Sequence, residues 1–330
     1  MPIDNNSMQS NSVNEYIDGV RNGDRTILAK AITLIESNSP EHIDMAQAVL
    51  RELLPYTGKS TRIGITGMPG AGKSTFIEAL GCHLTESGHK IAVLAVDPSS
   101  SISRGSILGD KTRMEKLSQD PNAFIRPSPS GGVLGGVARK TRESMLLFEA
   151  AGYDVLLIET IGVGQNEITV RSMVDFILLL MIAGAGDELQ GIKKGIIEIA
   201  DAIVFNKADG DNKPRVMAAR EEYEKALHYL YHATEGWTTR AHACSSITGE
   251  GITDIWQVIE KFKAITTKSK VWDIRRKNQQ RDWLHALVEE HLSRNFFNDA
   301  KIKDILPQVE QDVMEGKATA IAAARRLLGE

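Results

Sequence analysis

Along the chain, apolar positions follow two rhythms. From Val13 to about Leu54 they recur at helical spacing, through Ile17, Val20, Ile27, Leu28, Ala31, Ile32, Leu34 and Ile35. Ser39-Pro40 breaks that stretch into at least two helices. The first dozen residues are polar and are expected to be disordered. From Thr61 the rhythm changes to short β-branched runs alternating with helical stretches: RIGITG (62–67), KIAVLAVD (90–97), AFIRPS (123–128), YDVLLIET (153–160), FILLLMIA (176–183), AIVFNK (202–207) and AHACSS (241–246). Continuous apolar strands alternating with helices predict an α/β domain, with a mostly parallel sheet covered by helices on both faces and ligands at the carboxyl ends of the strands. After about Ala264 the strand pattern stops. Trp283, Leu284, Leu287, Val288, His291 and Leu292 make one helical stripe, and Ile302, Ile305, Leu306, Val309 and Val313 another. Such helices either fold back on the core or meet a second copy of themselves. The expected division is an N-terminal helical extension (1–57), a P-loop NTPase domain (58–266) and a C-terminal helical arm (267–330).

Composition narrows this picture only a little. With 330 residues, 42% of them hydrophobic, the chain can bury a large core. A formal net charge of −4 gives no reason to expect a nucleic-acid partner. Two cysteines, Cys82 and Cys244, with no CxxC, fit a reducing cytosol and are expected to be buried and inert. The start of the chain lacks the basic and apolar regions of a leader. FILLLMIA is far short of the roughly 20 residues that span a bilayer. A soluble cytoplasmic protein with no membrane partner is expected.

The chemistry is concentrated at the strand ends. GMPGAGKS (67–74) matches GxxxxGK[ST] between a strand and a helix. Gly67, Gly70 and Gly72 let the backbone curl, with Met68, Pro69 and Ala71 between them, so that successive N–H groups point at phosphate oxygens. Lys73 is placed to reach the β- and γ-phosphates and Ser74 to ligate Mg²⁺, with Thr75 completing the first helical turn. Met68 stands where the deviant phosphate-loop ATPases carry a second lysine. DVLLIETIG (154–162) ends a strand in Glu159, a carboxylate able to hold Mg²⁺ directly or through water. Asp97, closing AVLAVD, is either a second metal-side carboxylate or a turn aspartate of DPSS. NKAD supplies Asn206, Lys207 and Asp209. The carboxylate of Asp209 accepts from both N1–H and N2–H₂ of guanine, a pair adenine lacks. CSSITGEG adds the loop behind the base, through Ser245, Ser246 and Ile247.

The combination of GMPGAGKST, AVDPSSSISRGSILGDKTRM, IRPSPSGGVLGG, ETIGVGQNE, GAGDELQGIKKG and NKADGDN resembles the MeaB/ArgK-type GTPases, the chaperones of adenosylcobalamin-dependent methylmalonyl-CoA mutase. It is strongest from Thr61 to about Thr266. The resemblance implies a GTP/GDP-binding homodimer joined through its C-terminal helices. It implies a Mg²⁺ site drawing on Ser74, Glu159, Asp97 and Asp110, and switch segments at GSILGDKTRM, IGVGQNE and GAGDELQGIKKG. The last would gate cobalamin delivery to the mutase and protect that enzyme. The residues agree: glycines at 184, 186, 191 and 195 allow two backbone paths, in which Asp187, Glu188, Lys193 and Lys194 can pair differently. The plainer alternative is a helix cap followed by an exposed helix start. One departure stands out. The residue after ExxG is Val163 and the nearest glutamine is Gln165, the candidate for positioning the attacking water, so slow intrinsic hydrolysis raised by a partner is expected.

Three competing functions fit these residues less well. A metal-insertion GTPase would need Cys and His near the switches, but there is no Cys between Cys82 and Cys244 and no His between His89 and His228. A kinase linked to basic amino-acid transport would use ATP, against Asp209. A non-enzymatic scaffold built on a dead nucleotide fold would not need Lys73, Ser74, Glu159 and Asp209 together.

Overall fold

The computed structural model describes residues 12–96, 114–127, 134–160, 166–184, 194–228 and 233–329. The helical start contains α1 (Val13–Arg21), α2 (Arg25–Glu36) and α3 (Pro40–Leu53). Besides the break at Ser39-Pro40, the chain breaks a second time, at Asn22–Gly23–Asp24, where the apolar spacing alone marks no boundary. Gly23 takes φ +71°, a left-handed turn that an L side chain strains against. Asp24 then caps α2, its Oδ1 accepting from the backbone N–H groups of Thr26 at 2.8 Å and Ile27 at 3.0 Å. Ser12 and Glu15 form a reciprocal capping box at the start of α1.

The second rhythm resolves into β1 (Thr61–Gly67), α4 (Lys73–Glu86), β2 (Ile91–Val96), α5 (Glu115–Gln119), β3 (Ala123–Arg126), α6 (Leu134–Ala150), β4 (Val155–Thr160), α7 (Asn166–Arg171), β5 (Phe176–Ile182), α8 (Lys194–Ile199), β6 (Ala202–Asn206), α9 (Lys213–Leu227), β7 (Ala241–Ala243) and α10 (Ile252–Lys268). The strands form one seven-stranded sheet in the order β3-β2-β4-β1-β5-β6-β7, and every pairing is parallel. Alternate residues of the inner strands enter two separate cores. On β5, Ile177, Leu179 and Met181 pack with α1, α2, α3 and α6, while Phe176, Leu178 and Leu180 pack with α4 and α10. Coverage of both faces is why these strands read as unbroken apolar runs. Burial of each such side chain contributes about 2 kcal/mol to the layered fold.

The chain divides into two compact units, Met1–Arg275 and Arg276–Glu330. The remaining helices are α11 (Val271–Asn298), α12 (Ala300–Met314) and α13 (Ala320–Leu328). In the second unit, α12 and α13 are capped by Asp299 and Thr319, Asp312 accepts from Arg326 at 3.2 Å, and Val309 and Ala323 are buried. Among the described residues no helix is long and apolar enough to cross a membrane.

Candidate functional site

Parallel pairing brings the carboxyl ends of β1, β4, β5 and β6 to one rim, where the sequence candidates meet. Gly67 closes β1 opposite Leu180 of β5 and takes φ +149°. A Cβ there would stand 2.2 Å from the Leu180 carbonyl oxygen, so the strand end admits only glycine. Gly70 and Gly72 carry φ +80° and +86°, and Gly72 leads directly into α4. Met68 and Ala71 are buried and hold the curl down, while Pro69, Gly70 and Thr75 are exposed. The Lys73 ammonium donates to the carbonyl oxygens of Gly67 at 2.7 Å and Met68 at 3.2 Å, folded over the loop it follows. This is a concave ring of backbone dipoles with one cation across its mouth, the arrangement that receives a polyphosphate.

Glu159, one residue before the end of β4, is 6% exposed, and its Oε1 accepts from Ser74 Oγ at 3.2 Å. A hydroxyl and a carboxylate oxygen converging at the start of α4 are hard donors of the kind Mg²⁺ prefers, and these two residues could hold it. Behind them the buried hydroxyls of Thr160 and Thr66 bond at 2.9 Å, tying β4 to β1.

Asn206 ends β6 and is 2% exposed. Its Nδ2 donates to Ala71 O at 2.9 Å, and its Oδ1 accepts from Ser246 N at 3.1 Å and Ser246 Oγ at 2.8 Å. One side chain therefore fastens the phosphate loop to the CSSITGEG loop. Lys207 sits at φ +64°, a left-handed conformation unusual outside glycine. Two residues on, Asp209 accepts through Oδ2 from Ser245 Oγ at 2.5 Å. Ser245 is fully buried, and its oxygen in turn accepts from Thr248 N at 3.2 Å. The carboxylate is thus held in one orientation, as a two-point reader of N–H donors requires. Ile247 is 79% exposed at the tip of that loop.

Of the residues singled out from the sequence, Gly67 to Thr75, Glu159, Asn206, Lys207, Asp209 and Ser245 to Ile247 are described and lie on this rim. Asp97, Asp110 and Gln165 lie outside the described residues, as does most of the glycine-rich stretch after Gly184. Cys244 is buried, and burial pushes its thiol up to about 12, in keeping with an inert side chain. Cys82 is only partly buried, because it sits on the flank of α4, although burial and then the nearby Glu78 still raise its pKa. Sequence reading missed Arg215 on α9. Its Nη2 donates to Gly184 O at 3.4 Å, and a Cβ on Gly184 would lie 2.0 Å from it. Nothing local to either residue signals that pairing.

Residues 28–301 match the family described as Methylmalonyl Co-A mutase-associated GTPase MeaB. A Caulobacter vibrioides protein described as a putative GTPase is 54% identical over 306 residues, covering 93% of this chain and 94% of its own. A Mus musculus protein named methylmalonic aciduria type A homolog, mitochondrial, is 44% identical over 326 residues, covering 96% of this chain and 79% of that one. Among solved structures, a LAO/AO transport system kinase is similar with a TM-score of 0.79 at 39% identity, over 100% of this chain and 99% of that one.

Proposed function

The chain belongs to the methylmalonyl-CoA mutase-associated GTPase family MeaB, and from that premise we propose that it is the GTP-dependent chaperone of an adenosylcobalamin-dependent acyl-CoA mutase, with methylmalonyl-CoA mutase as client. The protein is a GTP hydrolase. The observation that carries the site assignment is Asn206, which bonds the phosphate loop at Ala71 and the base-side loop at Ser246 while Ser245 fixes Asp209. Guanine and triphosphate would be read by one connected hydrogen-bonded unit.

In the proposed reaction the oxygen of a water molecule attacks the γ-phosphorus. The bond from that phosphorus to the β–γ bridging oxygen breaks, and its electron pair leaves with GDP. The attacking water's protons pass to the released phosphate and to solvent. Lys73 and the N–H groups of residues 70–75 stabilise charge on the phosphate oxygens, and they act most where that charge shifts toward the leaving group. Ser74 and Glu159, with Asp97 and Asp110 as further acids, are the residues proposed to hold Mg²⁺, which would supply positive charge against the phosphate oxygens. Gln165 is proposed to orient the water. Its separation from ExxG by Val163 and Gly164 supports slow hydrolysis in the absence of a partner.

The client assignment is supported by the family description and by the name of the mouse relative. Residues 267–330 are proposed as the arm of a homodimer, 58–266 as the GTPase domain and 1–57 as its helical extension. The glycine-rich stretch from Gly184 to Gly195 is proposed as the switch that gates cobalamin loading. The test is GTP turnover by the purified protein, alone and with methylmalonyl-CoA mutase, with ATP as control. Slow GTP turnover that rises with the mutase supports the reading. An unchanged rate removes the client, and ATP preference overturns the role of Asp209 in favour of a kinase.

A further inference from the structure

The strands end at the nucleotide rim, but a second buried group of charges sits at their amino ends, away from the residues of that rim. Asp201 immediately precedes β6 and is fully buried. Its Oδ2 accepts from the backbone N–H of Ile177 at 2.9 Å and from Arg171 Nη1; its Oδ1 accepts from Thr234 Oγ1. Arg171 is the last residue of α7. Its Nη2 also donates to Thr234 Oγ1 at 3.1 Å and to Ala233 O at 3.3 Å. Arg275, in the first turns of α11, donates to Asp175 O and to Thr234 Oγ1, and its Nη1 lies 3.9 Å from Asp201 Oδ2. The Thr234 hydroxyl is fully used, with its proton on Asp201 and an N–H from each arginine on its oxygen. Two guanidinium groups from distant parts of the chain therefore share one carboxylate and one hydroxyl. Burial, and then the Arg171 charge, hold Arg275 below the ordinary arginine range, against the pull of Asp201 and Asp175.

A buried ion group is a poor device for stability alone, since apolar residues of the same volume often serve as well. Its place in the fold indicates what else it does. The connection from β4 back to β5 runs from the nucleotide rim to the opposite end of the sheet, and α7 lies on it. Asn166, the first residue of α7, directly follows Gln165, and Arg171 ends the helix. A helix of this length is a rigid rod of about 9 Å. Its far end is pinned a second time, by Arg142 of α6, whose Nη2 donates to Ser172 O at 2.8 Å and Ser172 Oγ at 2.7 Å. An anchor at the far end of a short rod sets where its near end lies.

We propose that Arg171, Asp201 and Arg275 form a positioning node for GTP hydrolysis. By fixing the end of α7, the node registers the start of that helix against Ser74 and Glu159, and it makes the first turns of α11 part of the hydrolysis geometry. These residues act through α7 and touch no substrate. The proposal rests on the GTPase reading above and deepens it.

The test uses the full chain with R171K, R275Q and the double substitution. Lysine keeps the charge at 171 but loses the fork that bonds Asp201 and Thr234 together. Glutamine at 275 keeps a donor for Thr234 without the cation. For each protein, kcat and KM for GTP are measured, with GDP affinity from a fluorescent GDP analogue as the check of folding. R171K and R275Q are expected to lower kcat about tenfold with KM and GDP affinity within about twofold of wild type. The double variant is expected to fall no further than the worse single one, because the node acts as a unit. Wild-type kcat in variants that bind GDP normally would overturn the proposal and leave the node a purely structural ion group, whatever the melting temperature does. A raised KM at unchanged kcat would overturn it equally. If R171K fails to bind GDP, R275Q decides by the same readings. Wild-type turnover in the same assay separates failure of the GTPase reading from failure of the node.

Discussion

A Cβ built on Gly67 would meet the Leu180 carbonyl oxygen at 2.2 Å, whereas one on Gly70 meets nothing within 4 Å. The two glycines of one motif are therefore predicted to differ. G67A combines a backbone clash with a disfavoured φ, and it is expected to lower stability by roughly 3 kcal/mol or more in urea unfolding and to abolish GDP binding. G70A carries only the left-handed strain, about 1–2 kcal/mol. At Asp209 the expected change is one of specificity. In D209N an amide replaces the acceptor for the guanine amino group and offers a donor to the 2-oxygen of xanthine. GTP turnover is predicted to fall about 10²–10⁴-fold and xanthosine triphosphate turnover to rise, measured as kcat/KM for both nucleotides. Glu159 was legible because it closes an apolar run, where a carboxylate has few structural reasons to be, and Asp209 because NKAD follows such a run. The Thr66–Thr160 hydroxyl pair and Arg215 against Gly184 were not, since threonine in a strand and arginine in a helix are unremarkable until the fold brings them together.

The elements themselves were the most legible level, because a strand covered on both faces writes its burial directly into its composition. The seven runs became seven strands, the last of them shortened most. AHACSS predicts a strand to 246, but pairing stops at Ala243, and Cys244 to Ser246 turn aside to bond Asn206 and Asp209. The missed break before α2 had its signal in Asn22–Gly23–Asp24, a turn written in residue chemistry rather than in periodicity. D24A is expected to cost about 1 kcal/mol of thermal or urea stability through the lost cap of α2. On β7, His242 is half-buried, and burial pushes its pKa down; Arg220 and Arg240 add to this, while Glu224 and Asp254 oppose it. The unfolded chain takes up a proton below about pH 6.5 while the folded imidazole stays neutral, so this stabilisation is complete above pH 6.5 and is lost as pH falls toward the lower folded value. Urea unfolding of wild type and H242Q is expected to show a wider stability gap at pH 7.5 than at pH 5.5. An equal gap at both would mean that His242 is not held neutral.

At the scale of the molecule, Leu284, Val288 and Leu292 stand four residues apart on α11 and are 60%, 48% and 62% exposed. Such a stripe on a long helix calls for a cover, and under the proposed homodimer the cover is a second copy. Replacing Leu284 and Leu292 by serine is predicted to shift sedimentation from dimer to monomer while GDP binding persists. A wild type that already sediments as a monomer would remove the dimer. The sequence by itself determined the alternation of strands and helices, the phosphate loop, the guanine-reading aspartate and the strand-end glutamate. All of these are local, written within a few residues by burial, glycine torsions and hydrogen-bonding chemistry. Only the tertiary structure decided that Asn206 spans two loops, that Ser245 holds Asp209, and that Arg171 and Arg275 share Asp201. Those partners are brought together by the strand order β3-β2-β4-β1-β5-β6-β7, which places residues far apart in the chain side by side, and no periodicity along the chain encodes which strand will be neighbour to which.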